Sequence, residues 1–154
     1  MKEIKPLNAV PAEWFAIFLA GSIEMGKAER WQEKIAAALK GFDILILNPR
    51  RDNWESLEER ASDQRFAEQV EWELNGLERA QKIIMYFSPE TKSPITLLEL
   101  GLFAASGKLL VCCPDGFWRK GNVEIVCKRY NIPLFSNLEE LKAEFIKMYE
   151  REKK

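Results

Sequence analysis

The sequence predicts an α/β protein with a flavodoxin-like, doubly wound, five-stranded parallel sheet and helices on both faces. Short apolar runs of strand length alternate along the chain with longer helix-like segments. The apolar runs are continuous rather than alternating with polar residues, which is typical of strands buried on both faces. A length of 154 residues suits one domain with a hydrophobic core. We therefore expect a single domain over residues 1–154.

The five predicted strands are apolar runs, most of which end at turn-forming residues. The first run ends at Gly21-Ser22 and the second at Asn48-Pro49, and both pairs favour turns over continued strand. The predicted strands are Phe15–Ala20, Asp43–Leu47, Lys82–Phe87, Leu109–Cys113 and Ile132–Phe135.

The helices are predicted from apolar residues at helical spacing. They span Gly26–Leu39, Gln64–Arg79, Pro94–Ser106, Asn122–Tyr130 and Leu138–Glu150. The third helix has no polar face apart from Glu99, so we expect it to be buried or to form an interface. Arg50–Ser62 is polar without a clear period and is predicted to be a loop.

Composition excludes several classes of function. The chain has no histidine, which excludes Ser-His-Asp and Cys-His catalysis and histidine-ligated metals. We expect neither a metal nor another cofactor. A net charge of −1 provides no overall field for nucleic acid or membrane binding, and no apolar run has transmembrane length. The chain has three cysteines, an odd and small number, which predicts a reducing, cytoplasmic location rather than a disulfide scaffold.

Glu99 is the most informative residue of the chain. It is the only ionisable residue in the run SPITLLELGLFAASG, from Ser93 to Gly107. A carboxylate is costly to bury, and burial raises its pKa unless partners stabilise the charge. Isolated carboxylates of this kind are candidates for catalytic groups.

Glu73 is the second candidate carboxylate. It falls within the apolar stripe of the helix Gln64–Arg79, three residues after Val70 and four before Leu77. This spacing leaves open whether the side chain faces the core near Glu99 or reaches water from the margin of the stripe. Two carboxylates in one pocket suit glycosyl transfer, in which an ionised Glu99 attacks the anomeric carbon and a protonated Glu73 assists the leaving group.

Two loops that follow predicted strands are candidate binding elements. The turn that includes Gly21 and Ser22 opens a helix, so its amides and hydroxyl suit a sugar or phosphate, although it also reads as a plain strand–helix turn. The loop after the second strand carries Arg50 and Trp54, which suit contact with a phosphate and stacking on a base. A solvated surface loop is the alternative there.

The segments FLAGSIEMGKAERWQ, NPRR, QVEWELNGLERAQKII, SPITLLELG and GFWRKGNVEIVC together resemble the nucleoside 2-deoxyribosyltransferase family, in particular its deoxyribosyltransferase-like branch. The resemblance extends from about Phe15 to Pro133. It implies a flavodoxin-like fold and cleavage of an N-glycosidic bond. It also implies that Glu99 is the nucleophile, that Glu73 assists with the base, and that Asn122 binds the 5′ side of the sugar in a neighbouring subunit's site.

Two positions differ from well-studied members of the family. A tyrosine of the first strand is replaced here by Ile17 or Phe18. Ser93 stands where free-nucleoside transferases usually have Asp, and it matches related deoxynucleoside-monophosphate glycosidases. Those glycosidases have Arg where this chain has Glu24, which argues against a 5′-phosphate.

Three functions follow as expectations from the resemblance. The first is transfer of a deoxyribosyl group from a nucleoside to another base or to water, by a homo-oligomer. The second is hydrolysis restricted to nucleoside 5′-monophosphates. The third is nucleotide binding without catalysis, which the missing tyrosine suggests.

Overall fold

The computed structural model describes residues 1–52 and 60–153. Six strands form one parallel sheet in the order β1-β3-β2-β4-β5-β6. They span Lys2–Ile4 (β1), Phe15–Gly21 (β2), Ile44–Leu47 (β3), Lys82–Tyr86 (β4), Leu109–Cys112 (β5) and Leu134–Phe135 (β6). The predicted flavodoxin-like class is confirmed.

The predicted number of strands is wrong, because β1 adds a sixth strand at the edge. Its three residues pair with Leu45–Leu47 of β3, and two of them are exposed. A three-residue strand containing Lys2 and Glu3 has no apolar pattern of its own. Pairing with an exposed strand edge creates it, so no local sequence signal could have predicted it.

Within the described part of the chain, five α-helices cover the sheet, and they are Trp31–Ala38 (α1), Gln64–Arg79 (α2), Pro94–Phe103 (α3), Lys120–Arg129 (α4) and Leu138–Glu152 (α5). Short 3₁₀ turns span Glu24–Gly26, before α1, and Ala104–Ser106, after α3. The first α-helix therefore begins at Trp31 rather than at the predicted Gly26, and the last three residues of the predicted third helix form a 3₁₀ turn. No helix of the described ranges is long and apolar enough to cross a bilayer.

Alternate residues of each strand enter two separate cores. Ala16, Phe18 and Ala20 of β2 pack in the core that contains residues of α2, α3 and α4. Ile17 and Leu19 pack in the core that contains residues of α1 and α5. This two-sided burial explains the continuous apolar runs of the sequence.

The helix α3 is only partly buried. Thr96, Glu99 and Leu100 face inward, whereas Ile95, Leu98 and Leu102 are more than half exposed. Pro94 begins the helix, where a missing amide proton has no cost. Of the two alternatives expected for this helix, complete burial is not observed, and a place in an interface stays a prediction.

Candidate active site

The candidate site lies at the carboxyl ends of β2 and β4. These neighbouring strands mark the point where the strand order reverses, because β3 lies on one side of β2 and β4 on the other. Ligands of doubly wound sheets bind in the crevice at such a point. The loop after β2 begins with Ser22, and the loop after β4 spans residues 87–93.

Three buried hydroxyl groups join the two loops. Ser22 Oγ lies 2.6 Å from Ser93 Oγ and 2.9 Å from Thr91 Oγ1, and the latter two atoms are 2.7 Å apart. Ser22 Oγ also accepts a hydrogen bond from the Ser88 amide, and Thr91 donates to the Ser88 carbonyl. The structure thus brings together the predicted residues Ser22 and Ser93. It adds Thr91, whose only sequence signal was its position two residues before Ser93.

Gly21 permits the close approach of these loops. A Cβ atom at this position would lie 2.5 Å from the Tyr86 carbonyl oxygen and 2.7 Å from the Trp31 ring. The Ser22 amide donates to the same Tyr86 carbonyl. Packing between β2 and β4 therefore accounts for the glycine, and Gly21 as a substrate-binding residue stays a prediction.

Glu99 is buried with no polar partner. It is 8% exposed, and no hydrogen bond or ion pair reaches its carboxyl group within residues 1–52 and 60–153. Burial, and secondarily the charge of Glu73, raises the pKa of Glu99 to about 8. At the position of β2 where the resemblance implies a tyrosine, Ile17 and Phe18 are fully buried and offer no hydroxyl group.

Glu73 lies near Glu99 on the neighbouring helix α2. Its own pKa is raised by burial, against the opposing effects of a 2.9 Å hydrogen bond from Gln69 and the charge of Arg51. Gly76, one turn further on, lets α2 lie close to β2, because a Cβ there would be 2.9 Å from the Phe18 ring. Glu73 is half-buried and near enough to Glu99 for its charge to raise the pKa of Glu99. Of the two orientations that helical spacing left open, the side chain therefore adopts the one near Glu99.

The two carboxyl groups differ in their surroundings. Burial raises the pKa of Glu73 against the opposing effects of the Gln69 hydrogen bond and the Arg51 charge, whereas burial and the charge of Glu73 both raise the pKa of Glu99. The expected assignment, an ionised Glu99 beside a protonated Glu73, stays a prediction.

Arg50 holds the loop that follows β2. Its Nη1 donates to the Glu29 carbonyl and to Gln32 Oε1, and its Nη2 donates to the Gly26 and Ala28 carbonyls at 2.7 Å. The residue is 6% exposed. Both terminal nitrogens thus bind the protein itself, and the expected phosphate contact of Arg50 stays a prediction.

Glu24 connects the same loop to the start of α3. Its Oε1 accepts a 2.9 Å hydrogen bond from the Ser93 amide. Beside it lies a cavity of about 550 Å³, lined by Glu24, Lys27, Ala28, Glu29, Ser88, Pro89, Glu90 and Thr91. The carboxyl group of Glu29 also accepts a hydrogen bond from the Tyr86 hydroxyl. Glu99 is not among the residues that line this cavity.

Two predicted binding residues and the loop after β5 complete the description. Asn122 is exposed on α4. Trp54 lies outside the described residues. In the loop after β5, Phe117 is buried against Phe87 with ring centroids 4.8 Å apart. The half-exposed Trp118 donates a hydrogen bond to the Lys92 carbonyl, next to Ser93.

Comparison with known proteins identifies the family of the chain. A family profile described as "Nucleoside 2-deoxyribosyltransferase like" matches residues 14–117, a stretch that includes Glu73 and Glu99. A search of curated proteins finds no significant match. Since the profile covers more than half of the 154 residues, the chain belongs to the nucleoside 2-deoxyribosyltransferase-like family.

Proposed function

We propose that the protein cleaves the N-glycosidic bond of 2′-deoxynucleosides and transfers the deoxyribosyl group through a covalent intermediate on Glu99. The acceptor is a second base or water. The observation that carries this proposal is the pair formed by Glu99 and Glu73. Glu99 lies buried near Glu73, and burial raises the pKa of both carboxyl groups. Retaining glycosyl transfer needs such a pair, with one group as nucleophile and the other as acid.

The first half of the reaction forms an ester. Substrate binding moves the shared proton from Glu99 to Glu73, because the positive charge that develops on the sugar stabilises an ionised Glu99. A carboxylate oxygen of Glu99 then bonds to C1′ while the bond from C1′ to the base nitrogen breaks. Glu73 gives its proton to the departing base, which leaves as a neutral molecule.

The second half reverses these roles. The nitrogen of an acceptor base, or a water oxygen, attacks C1′ and breaks its bond to Glu99. Glu73 takes the proton that the attacking group releases. The enzyme returns to its starting state with one proton on the carboxyl pair.

The neighbouring loops are proposed to position the sugar. Ser22 and Ser93 present hydroxyl groups at the start of α3, the helix that carries Glu99. Gly21 brings this turn against β4. Arg50 acts indirectly in this proposal, by holding the loop on which Glu24 lies, while Trp54 stays a candidate for stacking on the base.

A second copy of the chain is proposed to complete the site. Ile95, Leu98 and Leu102 form an exposed apolar stripe on α3, and such stripes mark interaction surfaces. Asn122 is exposed on α4, where it is available to a neighbouring subunit. Light scattering at micromolar concentration is expected to show a dimer or a larger assembly, and a monomer would contradict this part of the proposal.

The test of the reaction is a substrate panel. The four common 2′-deoxynucleosides, alone and with a free acceptor base, are incubated with the protein and the released or exchanged base is measured. Mass spectrometry of the quenched reaction is expected to find a deoxyribosyl adduct on the peptide that contains Glu99. Glu99→Ala should lose both turnover and adduct, whereas Glu78→Ala, an exposed carboxylate on α2, should keep both. Absence of turnover, or full activity in Glu99→Ala, would refute the proposal.

Hydrolysis of nucleoside 5′-monophosphates is the second candidate function. The hydroxyl cluster of Ser22, Thr91 and Ser93 favours it, since hydroxyl groups bind phosphate oxygens. A strong preference of the protein for monophosphates in the same panel would establish it. Binding of nucleotides without an adduct or any product would instead indicate a non-catalytic binding module.

A further inference from the structure

An irregular connection between two parallel strands lies along α2. Residues 5–14 join β1 to β2, which lie on either side of β3 and run parallel to it. A connection between parallel strands has to return along a face of the sheet, and a helix usually makes that return. Here turns and irregular structure make it instead. We call residues 5–14 the crossover segment.

Two side chains of α2 bind the crossover segment. Trp72 Nε1 donates a 3.0 Å hydrogen bond to the Asn8 carbonyl. Arg79 Nη2 donates to three further carbonyls of the segment, at 2.7, 2.9 and 3.2 Å, those of Pro11, Ala12 and Trp14. The two donors are separated by about 10 Å along the helix axis. The segment is therefore fastened to α2 at two levels, one on either side of the turn that follows Glu73.

The start of the crossover segment also binds the loop after β3. Lys5 Nζ donates to the Arg50 carbonyl at 3.1 Å and to Asp52 Oδ1 at 3.3 Å. Between these two residues lies Arg51. Burial raises the pKa of Glu73, and the charge of Arg51 is one of the effects that oppose this rise. The crossover segment thus contacts both α2, which carries Glu73, and the loop whose charge acts on it.

Trp72 and Glu73 are consecutive residues of α2, so the orientation of one determines that of the other. The Trp72 ring packs near Phe18 of β2, with ring centroids 6.3 Å apart, while its indole nitrogen binds the crossover segment. Contacts on two sides of the ring oppose rotation of α2 about its axis. Successive side chains of a helix differ by about 100° in direction. A rotation that moved Trp72 would therefore also move the Glu73 carboxyl group relative to Glu99.

We infer that Trp72 and Arg79 are positioning residues, which use the crossover segment to hold Glu73 in the place that the acid step requires. The inference rests on the proposed function for the role of Glu73, and neither side chain is assigned a contact with the substrate. A displacement of about 1 Å can lower a catalytic rate by about 10²-fold, so a support of this kind controls the rate. Residues 5–13 lie outside the stretch that the family profile matches.

The test compares two substrates that differ in their need for an acid. An ordinary 2′-deoxynucleoside needs a proton on its departing base, whereas an N7-methylated purine deoxynucleoside already carries a positive charge there. Trp72→Phe removes the indole donor and retains an aromatic ring. The control, Tyr149→Phe, also removes one hydrogen bond from an aromatic side chain to a carbonyl, that of Asp43 at 2.9 Å. Tyr149 lies on α5, in the core on the opposite face of the sheet.

The expected result is a loss that is confined to the substrate that needs the acid. Trp72→Phe should lower kcat on the ordinary substrate by about tenfold and on the methylated substrate by less than about twofold. Arg79→Met should show the same selectivity. Tyr149→Phe should leave both rates unchanged, although it should lower thermal stability, because it too removes a hydrogen bond.

A double variant separates positioning from general damage. When Glu73→Gln is already present, Trp72→Phe should cause no further loss on the ordinary substrate, because the group that it positions is absent. Equal losses of Trp72→Phe on both substrates, a full further loss in the double variant, or unchanged rates in Trp72→Phe and Arg79→Met would overturn the inference and leave the proposed reaction standing. A parent protein that cleaves neither substrate would overturn the proposed function, and the role of the two residues with it.

Discussion

The surroundings of Glu99 and the loops after β2 and β4 differ in how many hydrogen bonds their buried polar groups form. Among residues 1–52 and 60–153, Glu99 is buried without a hydrogen-bond donor, and the charged group that shifts its pKa is another carboxylate, Glu73. In the loops after β2 and β4, by contrast, the hydroxyl groups of Ser22, Thr91 and Ser93 are hydrogen-bonded to one another, and Arg50 donates hydrogen bonds to four acceptors. Unsatisfied charge is costly unless a substrate uses it, so the first region is the candidate for chemistry. The second region sets the geometry of the first.

This contrast predicts that substitutions in the two regions affect different properties. Loss of a carboxyl group from the pair should lower activity and leave the folded protein stable. Loss of a hydrogen bond from the loops should lower stability. The predictions below follow this division from the largest expected effect to the smallest.

Glu73→Gln should reduce turnover of ordinary 2′-deoxynucleosides by about 10²–10⁴-fold, the usual contribution of a general acid. The base then has to leave without a proton. An N7-methylated purine deoxynucleoside already carries a positive charge on its base and should be cleaved at nearly the parent rate. Comparing kcat on the two substrates measures this difference. Equal losses on both, or an equal loss in the control Glu78→Gln, would contradict the acid role.

The stability of the protein should depend on pH through Glu99. Its pKa is about 8 in the folded chain against an ordinary value of 4.5, so between these values the folded state binds more protons than the unfolded state. The free energy of unfolding should therefore fall as pH rises from about 4.5 to 8, by an amount on the order of 4 kcal/mol. Glu73, whose pKa is also raised, acts in the same direction.

Urea unfolding at several pH values checks this prediction. Glu99→Gln should remove most of the fall in stability, while Glu78→Gln should show the same dependence as the parent protein. A parent protein whose stability stays constant across this range would show that Glu99 is ionised in the folded state.

Arg50→Ala should lower the free energy of unfolding by about 3 kcal/mol, because it removes hydrogen bonds from a buried guanidinium and leaves carbonyl groups unpaired. Arg30→Ala is the control. Arg30 forms an exposed ion pair with Glu33, so its loss should cost less than about 1 kcal/mol. Equal losses of unfolding free energy in Arg50→Ala and Arg30→Ala, measured by chemical unfolding, would show that Arg50 does not stabilise the loop after β2.

Thr91→Val should lower the free energy of unfolding by about 1–2 kcal/mol, since it deletes one hydroxyl from the buried cluster at nearly constant shape. Thr91→Ser retains the hydroxyl and should lose less stability. If thermal unfolding shows the two variants to be equally destabilised, the methyl group rather than the hydrogen bonds stabilises the loop.

The sequence predicted the surroundings of some candidate residues and not of others. Glu99 was visible in the sequence because its surroundings in the chain are apolar, and local burial depends on local composition. For Glu73 the sequence indicated only a place within the apolar stripe of a helix. Its position depends on the packing of α2 against β2 at Gly76. The hydrogen bonds of Arg50 were not predicted, since no sequence pattern shows that a basic residue will bind carbonyl groups of a loop more than twenty residues away.

The sequence by itself determined the class of fold, the main strands and helices, and the isolation of Glu99. These follow from periodicity and composition, which act within a few residues of the chain. The tertiary structure decided the edge strand β1, the meeting of Ser22 with Thr91 and Ser93, the bond from the Ser93 amide to Glu24, and the approach of Glu73 to Glu99. Each of these depends on groups that are distant in sequence and become neighbours only when the sheet forms.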